Sequence, residues 1–278
     1  MAAGKALTIS GYLIIGGKMP FTNKSLGQHW LHDKELLYSI ANDASLKTDD
    51  FVVEIGPGLG TLTDVILETG AKVLAIEFDE KLATKLHQKY KANPNIQIVS
   101  QDILKFNFSK LNKPYKIVAN IPYYLTSHLV RILAELKNPP LTAVLLVQKE
   151  VAQRIASDPG AMSKLSVFAQ NVFQTSLGTL VTAVFFTPPP KVDSQVIILH
   201  KRIERLVPAQ YKDSFDQVVT AGFSEKRKKL RSSLSGGLGL DKTITDDLLV
   251  KAKIDPDSRA QNLTINQWID LAKILSEK

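Results

Sequence analysis

Between about residue 33 and residue 200, short apolar runs alternate with amphipathic stretches, and this rhythm constrains the fold more than any other feature of the chain. Phe51-Val52-Val53-Glu54-Ile55 is too short for a helix and apolar on both sides, as a buried parallel strand should be. The turn Gly56-Pro57-Gly58-Leu59-Gly60 follows it, then a helical stretch from Thr61 to Thr69 that Gly70 stops. The pattern repeats with strands at Lys72–Ile76, Ile96–Ser100, Lys116–Ala119 and Ala143–Val147. Amphipathic stretches at Glu35–Ala44, Glu80–Tyr90, Ser127–Leu136, Glu150–Ala156 and around Lys164–Gln170 predict the helices. Two later β-rich runs, Gly178–Phe186 and Gln195–Leu199, are expected to form an antiparallel edge. Strands and helices in this order predict a doubly wound α/β domain. Beyond about Lys201 only amphipathic helical segments remain, so residues 27–203 and 204–278 are expected to form an α/β domain and a small helical domain.

Composition narrows the classes open to such a fold. Lys and Arg exceed Asp and Glu by 35 to 27, a net charge of +8 that favours polyanionic partners such as nucleic acid. The chain has no cysteine, which excludes disulfides, thiolate catalysis and Cys-based metal sites and suits a reducing cytoplasm. No metal site is expected. Residues 1–26 read as a flexible extension; its apolar run Tyr12–Ile15 is too short for a signal-peptide core or a membrane span.

The residues that can carry chemistry fall at predicted strand ends, where open α/β sheets bind ligands. Gly56 and Gly58 let a ligand approach the backbone closely, although such a turn is compatible with a purely structural role. The spacing departs from the dinucleotide pattern, and Pro57 removes one N–H that a phosphate would use. Glu77 ends the second strand, 21 residues beyond Gly56, where a carboxylate accepts both ribose hydroxyls. Asp102 ends the third strand and can accept from the exocyclic amine of adenine, with Phe78 and Ile103 as apolar walls. The fourth ends in Asn120-Ile121-Pro122-Tyr123, an amide, a stiffened backbone and an aromatic ring suited to clamp a flat, amino-bearing heterocycle. The ligand that fits these ends is an adenosine with a non-phosphate tail, with S-adenosylmethionine the foremost candidate.

Several ordered segments then carry a specific resemblance. Gly27-Gln28-His29-Trp30-Leu31, Glu54–Gly60, Gln148-Lys149-Glu150-Val151, Lys164-Leu165-Ser166-Val167 and the long stretch Phe186–Ser194 resemble the rRNA adenine N6-dimethyltransferase (KsgA/RsmA) family. Phe223–Arg231 and Arg259–Leu263 resemble it too, and the likeness runs from about Leu26 to Asn262. It implies a Rossmann-like class I S-adenosylmethionine-dependent methyltransferase domain with a small C-terminal all-α domain. It also implies cofactor contacts at His29, Leu31, Gly56, Glu77, Asp102 and Asn120. The expected partner is small-subunit rRNA in the small ribosomal subunit or its precursor, and the expected state a monomer. His29, Trp30 and Tyr124 stand where the family commonly has Asn, Phe and Asn.

In the expected reaction adenine N6 attacks a sulfonium methyl in line. The Asn120 side-chain oxygen and the Ile121 carbonyl, aimed by Pro122, accept the amine hydrogens. Tyr123 stacks on the base, and Phe186 is expected to close the opposite side. The densest basic run, Lys226, Arg227, Lys228, Lys229 and Arg231, is expected to bind RNA phosphates, joined by Lys191, Arg131, Lys149 and Arg154. Two other readings share the fold: an erythromycin-resistance type methyltransferase acting on large-subunit rRNA, and a non-catalytic nucleic-acid-binding factor.

Overall fold

The computed structural model describes residues 28–277 and the backbone of two short paired strands, β1 (Thr8–Ile9) and β2 (Tyr12–Leu13). The rest of the expected N-terminal extension lies outside the described residues. A small two-stranded sheet pairs β3 (Trp30–Leu31) with β10 (Phe186–Thr187). The main sheet has seven strands in the order β6-β5-β4-β7-β8-β11-β9. Its first five are the expected parallel ones: β4 (Phe51–Ile55), β5 (Lys72–Glu77), β6 (Ile96–Ser100), β7 (Lys116–Asn120) and β8 (Thr142–Gln148).

Side chains alternate across this sheet, and each face has its own core. Val53, Leu74, Ile117 and Leu145 face α4 (Thr126–Glu135), α5 (Lys149–Ile155) and α6 (Lys164–Val172). Their neighbours Val52, Val73, Val118 and Val144 face α1 (Lys34–Asp43), α2 (Thr61–Glu68) and α3 (Glu80–Tyr90). Apolar residues at both phases of the strand period are what a sheet covered on two faces requires.

The two late strands form an antiparallel pair at the sheet edge, as expected: β11 (Ser194–Lys201) inserts between β8 and β9 (Phe173–Val181) and is antiparallel to both. The bounds of β9 depart from expectation, for it starts five residues earlier than Gly178, directly after α6 with no intervening turn residue, and ends before Phe186. Asp43 at the end of α1 covers part of that edge, accepting from the Thr179 N–H and hydroxyl at 3.2 and 3.1 Å.

The C-terminal helices α7 (Lys212–Gly222), α8 (Leu230–Leu238), α9 (Lys242–Lys251) and α10 (Ile265–Ser276) close around the fully buried Trp268. A Cβ at Gly222 would lie 2.3 Å from the Trp268 ring, so only glycine lets α7 come this close. Helix α6 belongs to two cores at once. Ala169 and Val172 pack under the sheet, while Val167 and Phe168 pack against Phe215 and the C-terminal helices. Arg131 lies 3.5 Å over the Phe168 ring, and its guanidinium pairs with Glu135 and Asp216. Truncating Phe168→Ala should therefore cost about 3–5 kcal/mol, read as a lower urea midpoint by circular dichroism.

Candidate active site

The chain crosses from one half of the sheet to the other between β4 and β7, and the crevice above this reversal is where the loops part. Gly56, Glu77, Asp102 and Asn120, from the carboxyl ends of β4, β5, β6 and β7, all line one cavity there. Three glycines of the first turn have positive φ: +65° at Gly56, +58° at Gly58 and +77° at Gly60. A Cβ at Gly60 would sit 2.6 Å from the Tyr90 hydroxyl, so this position needs glycine for space as well as for backbone freedom.

Glu77 is buried and holds the turn. Its Oε2 accepts from the Gly58 N–H at 3.0 Å and its Oε1 from the Asp79 N–H at 2.9 Å. Burial raises its carboxyl above the usual range, against the pull of these two bonds. Beneath the turn lies a residue to which the sequence reading assigned no role. Glu54 also lines the cavity, is 1% exposed, and its Oε2 makes no hydrogen bond among the described residues. Burial pushes its carboxyl up to about 8; Asp64 and Glu77 add to the rise, while the Thr63 hydroxyl and Lys89 oppose it. The available signal was a carboxylate inside an otherwise apolar strand.

At the end of β7 the Asn120 Nδ2 donates to the His29 carbonyl at 3.2 Å, which fixes the amide and leaves Oδ1 as the acceptor. Leu125 N–H bonds the Pro122 carbonyl at 3.0 Å, closing a tight turn that carries Tyr123. The Tyr123 hydroxyl meets Ser194 Oγ at 2.7 Å, and its ring stacks on His29 with centroids 5.8 Å apart. His29 Nδ1 lies 2.7 Å from the Pro188 carbonyl; a carbonyl only accepts, so this nitrogen carries the proton. The His29 ring therefore braces the clamp through Tyr123 and Pro188, a role not expected of it, although it also lies on the cavity wall.

Phe186 corrects the sequence reading. It pairs with Leu31 across β10 and β3, is 3% exposed within the core that includes Leu37 and Val181, and is not among the residues lining the cavity. The stretch around it acts as a strap: Ala183 N–H bonds Asp193 Oδ1, and Lys149 N–H bonds the Asp193 carbonyl, both at 3.0 Å. Leu31 and Ile103 are both buried and line the cavity. Asp102 accepts from the Leu104 N–H at 2.9 Å, and Phe78 stands exposed on the wall as an apolar face. Among the described residues no group of three or more His, Asp or Glu side chains could hold a metal.

The basic run is less free than its sequence suggests. Lys228 pairs with Glu225, Lys229 with Asp257, and Arg231 with Asp257 and Asp246. Lys226, Arg227 and Lys191 are exposed and have no ion pair among the described residues. Arg131 is held by its acidic partners and Phe168, away from the role expected of it.

A family model described as ribosomal RNA adenine dimethylase matches residues 20–277. The chain belongs to this family. It is 38% identical to the ribosomal RNA small subunit methyltransferase A of Dehalococcoides mccartyi, over 91% of this chain and 88% of that protein. The protein of the same name from Alkaliphilus metalliredigens is also 38% identical, over 90% and 91%. Among solved structures, a dimethyladenosine transferase from Plasmodium falciparum superposes with a TM-score of 0.74 at 26% identity, covering 87% of this chain and 96% of that one. The 23S rRNA methyltransferase ErmE gives 0.72 at 28%, covering 88% and 99%. The protein is thus a class I methyltransferase of the rRNA adenine dimethylase family, with the α/β fold expected.

Within this family member the buried Glu54 has a measurable consequence. Its folded-state pKa is raised, so the proton it keeps stabilises the fold fully below the unfolded carboxyl range, and that contribution is lost as pH rises towards 8. Glu54→Gln should flatten this slope. Urea denaturation at pH 5.5, 7 and 8.5 reads the difference between the two proteins.

Proposed function

We propose that this protein transfers methyl groups from S-adenosylmethionine to N6 of two adjacent adenosines, in a hairpin loop near the 3′ end of small-subunit rRNA. It does so as a cytoplasmic monomer in small-subunit biogenesis. One arrangement carries the reading: the Asn120 amide, tied through Nδ2 to the His29 carbonyl, stands beside the glycine turn of a cofactor-sized crevice. A Cβ at Gly56 would lie 3.9 Å from the Asn120 carbonyl, so the turn and the clamp are neighbours.

The residues present suit the cofactor. Glu77 takes the ribose hydroxyls, Asp102 the adenine amine, and Phe78 and Ile103 the ring faces. The buried Glu54 Oε2, without a partner among the described residues, suits a hydrogen-bond donor on a tail without phosphates. When bound, S-adenosylmethionine supplies an electrophilic methyl on a sulfonium. Asn120 Oδ1 and the Ile121 carbonyl draw the N6 hydrogens out of the ring plane and stabilise the positive charge that grows on nitrogen. Tyr123, fixed by Ser194 and His29, holds the plane of the target base. No strong base is needed, because the methylated ammonium is acidic enough to lose its proton to water.

A target adenine must leave its stack to enter this crevice, which is least costly in an RNA loop. Lys191, Lys226 and Arg227 are placed to meet phosphates directly, while Lys228, Lys229 and Arg231 must first exchange carboxylate partners. The likeness to ErmE supports the large-subunit reading at the level of fold. The relatives at 38% identity across nine-tenths of the chain are named for the small subunit, and they support the first.

Asn120→Ala should lower the single-turnover rate by roughly 100- to 1000-fold while leaving RNA binding within a few-fold. Methylation of small-subunit particles and of large-subunit RNA, assayed in parallel by mass spectrometry, separates the two substrates. Modification confined to the latter overturns the proposal.

A further inference from the structure

Tyr124 follows directly on the clamp and lines the same cavity as Asn120, yet it is 64% exposed. Among the described residues its ring stacks on no other ring, so a flat aromatic face on the wall of the crevice stays open to a base. Its backbone is held between the turn closed on the Pro122 carbonyl and the start of α4, so the ring is presented from a fixed base. Ser127 and His128, in the first turn of α4 just after it, are both exposed. The first turn of α4 carries no acidic residue, so nothing there repels a phosphate. Lys191, in the stretch after β10, is exposed as well.

An aromatic face, the hydrogen-bonding side chains of Ser127 and His128 and a first helical turn without acidic residues together describe a binding surface for an unpaired nucleotide. Resting on the function proposed above, we propose that Tyr124 is the platform on which the base next to the target adenosine stacks while the target occupies the Asn120–Tyr123 clamp. The physical need is plain. Withdrawing one adenine from a loop strands its neighbour, and an exposed ring at the crevice mouth replaces the lost stacking partner. Tyr124 thereby acts on RNA affinity and on which loop sequences are accepted, without touching the methyl donor.

The test uses full-length protein and small subunits rebuilt with rRNA that is intact or abasic at the position beside the target. Tyr124→Ala should raise the KM for intact particles by about tenfold, with kcat and the Kd for S-adenosylmethionine unchanged. Tyr124→Phe should behave as the wild type, since stacking needs the ring and not the hydroxyl. On abasic particles the wild type should lose the same factor, and Tyr124→Ala should lose nothing further. The platform is overturned if Tyr124→Ala leaves KM unmoved, if its penalty persists on abasic particles, as a ribosomal-protein contact would make it, or if it weakens cofactor binding. A wild type that modifies only large-subunit RNA sinks the substrate reading instead, and the same variants and an abasic version of that RNA then test the platform there.

Discussion

The loops that leave β4 and β7 diverge, and the walls of the crevice they open are held by side chains as well as by backbone hydrogen bonds. Each of these side chains divides its valence. Asn120 commits Nδ2 to the His29 carbonyl and keeps Oδ1. Asp102 commits Oδ1 to the Leu104 N–H, and His29 commits Nδ1 to Pro188. Glu77 gives each oxygen one backbone donor, and each still has a lone pair to offer. Rigidity and recognition thus come from the same atoms. A substitution that spares the ligand-facing atom but removes the other loosens the wall that positions it.

Much of the site was legible because parallel strands end where their apolar runs end. Glu54 to Leu59, Glu77, Asp102 and Asn120 could be placed at strand ends from the order of runs and turns alone, and all line the crevice. What a side chain does sideways was not legible. Nothing local in Phe186 tells whether it faces the clamp or pairs beside Leu31, because that depends on a strand partner more than 150 residues away. The brace from His29 to Pro188 has the same non-local origin. The start of β9 was missed because Phe173 to Ser176 continue α6 without a breaker, and tertiary pairing with β11 decides the change of state.

Charge shows a similar limit. The run from Lys226 to Arg231 reads as a block of positive potential, but folding brings Asp257 and Asp246 against two of its five cations, Lys229 and Arg231. Hydrogen bonding to Lys229 holds the Asp257 carboxyl below its usual range, and the nearby Arg231 adds to this. These exposed pairs contribute little to stability. Their effect is on order: they keep long cationic side chains extended from known points rather than sweeping the surface.

Helix α6 lies in the core under the sheet and in the core of the C-terminal helices, and backbone bonds reinforce the join. Gly160 and Met162 N–H groups both donate to the Gln261 carbonyl, and Gln261 Nε2 returns a bond to Gly160. Sliding one part against the other would break apolar packing and backbone pairing together. One helix thus answers to two cores, so a change in the packing of the C-terminal helices is felt beneath the sheet that carries Asn120.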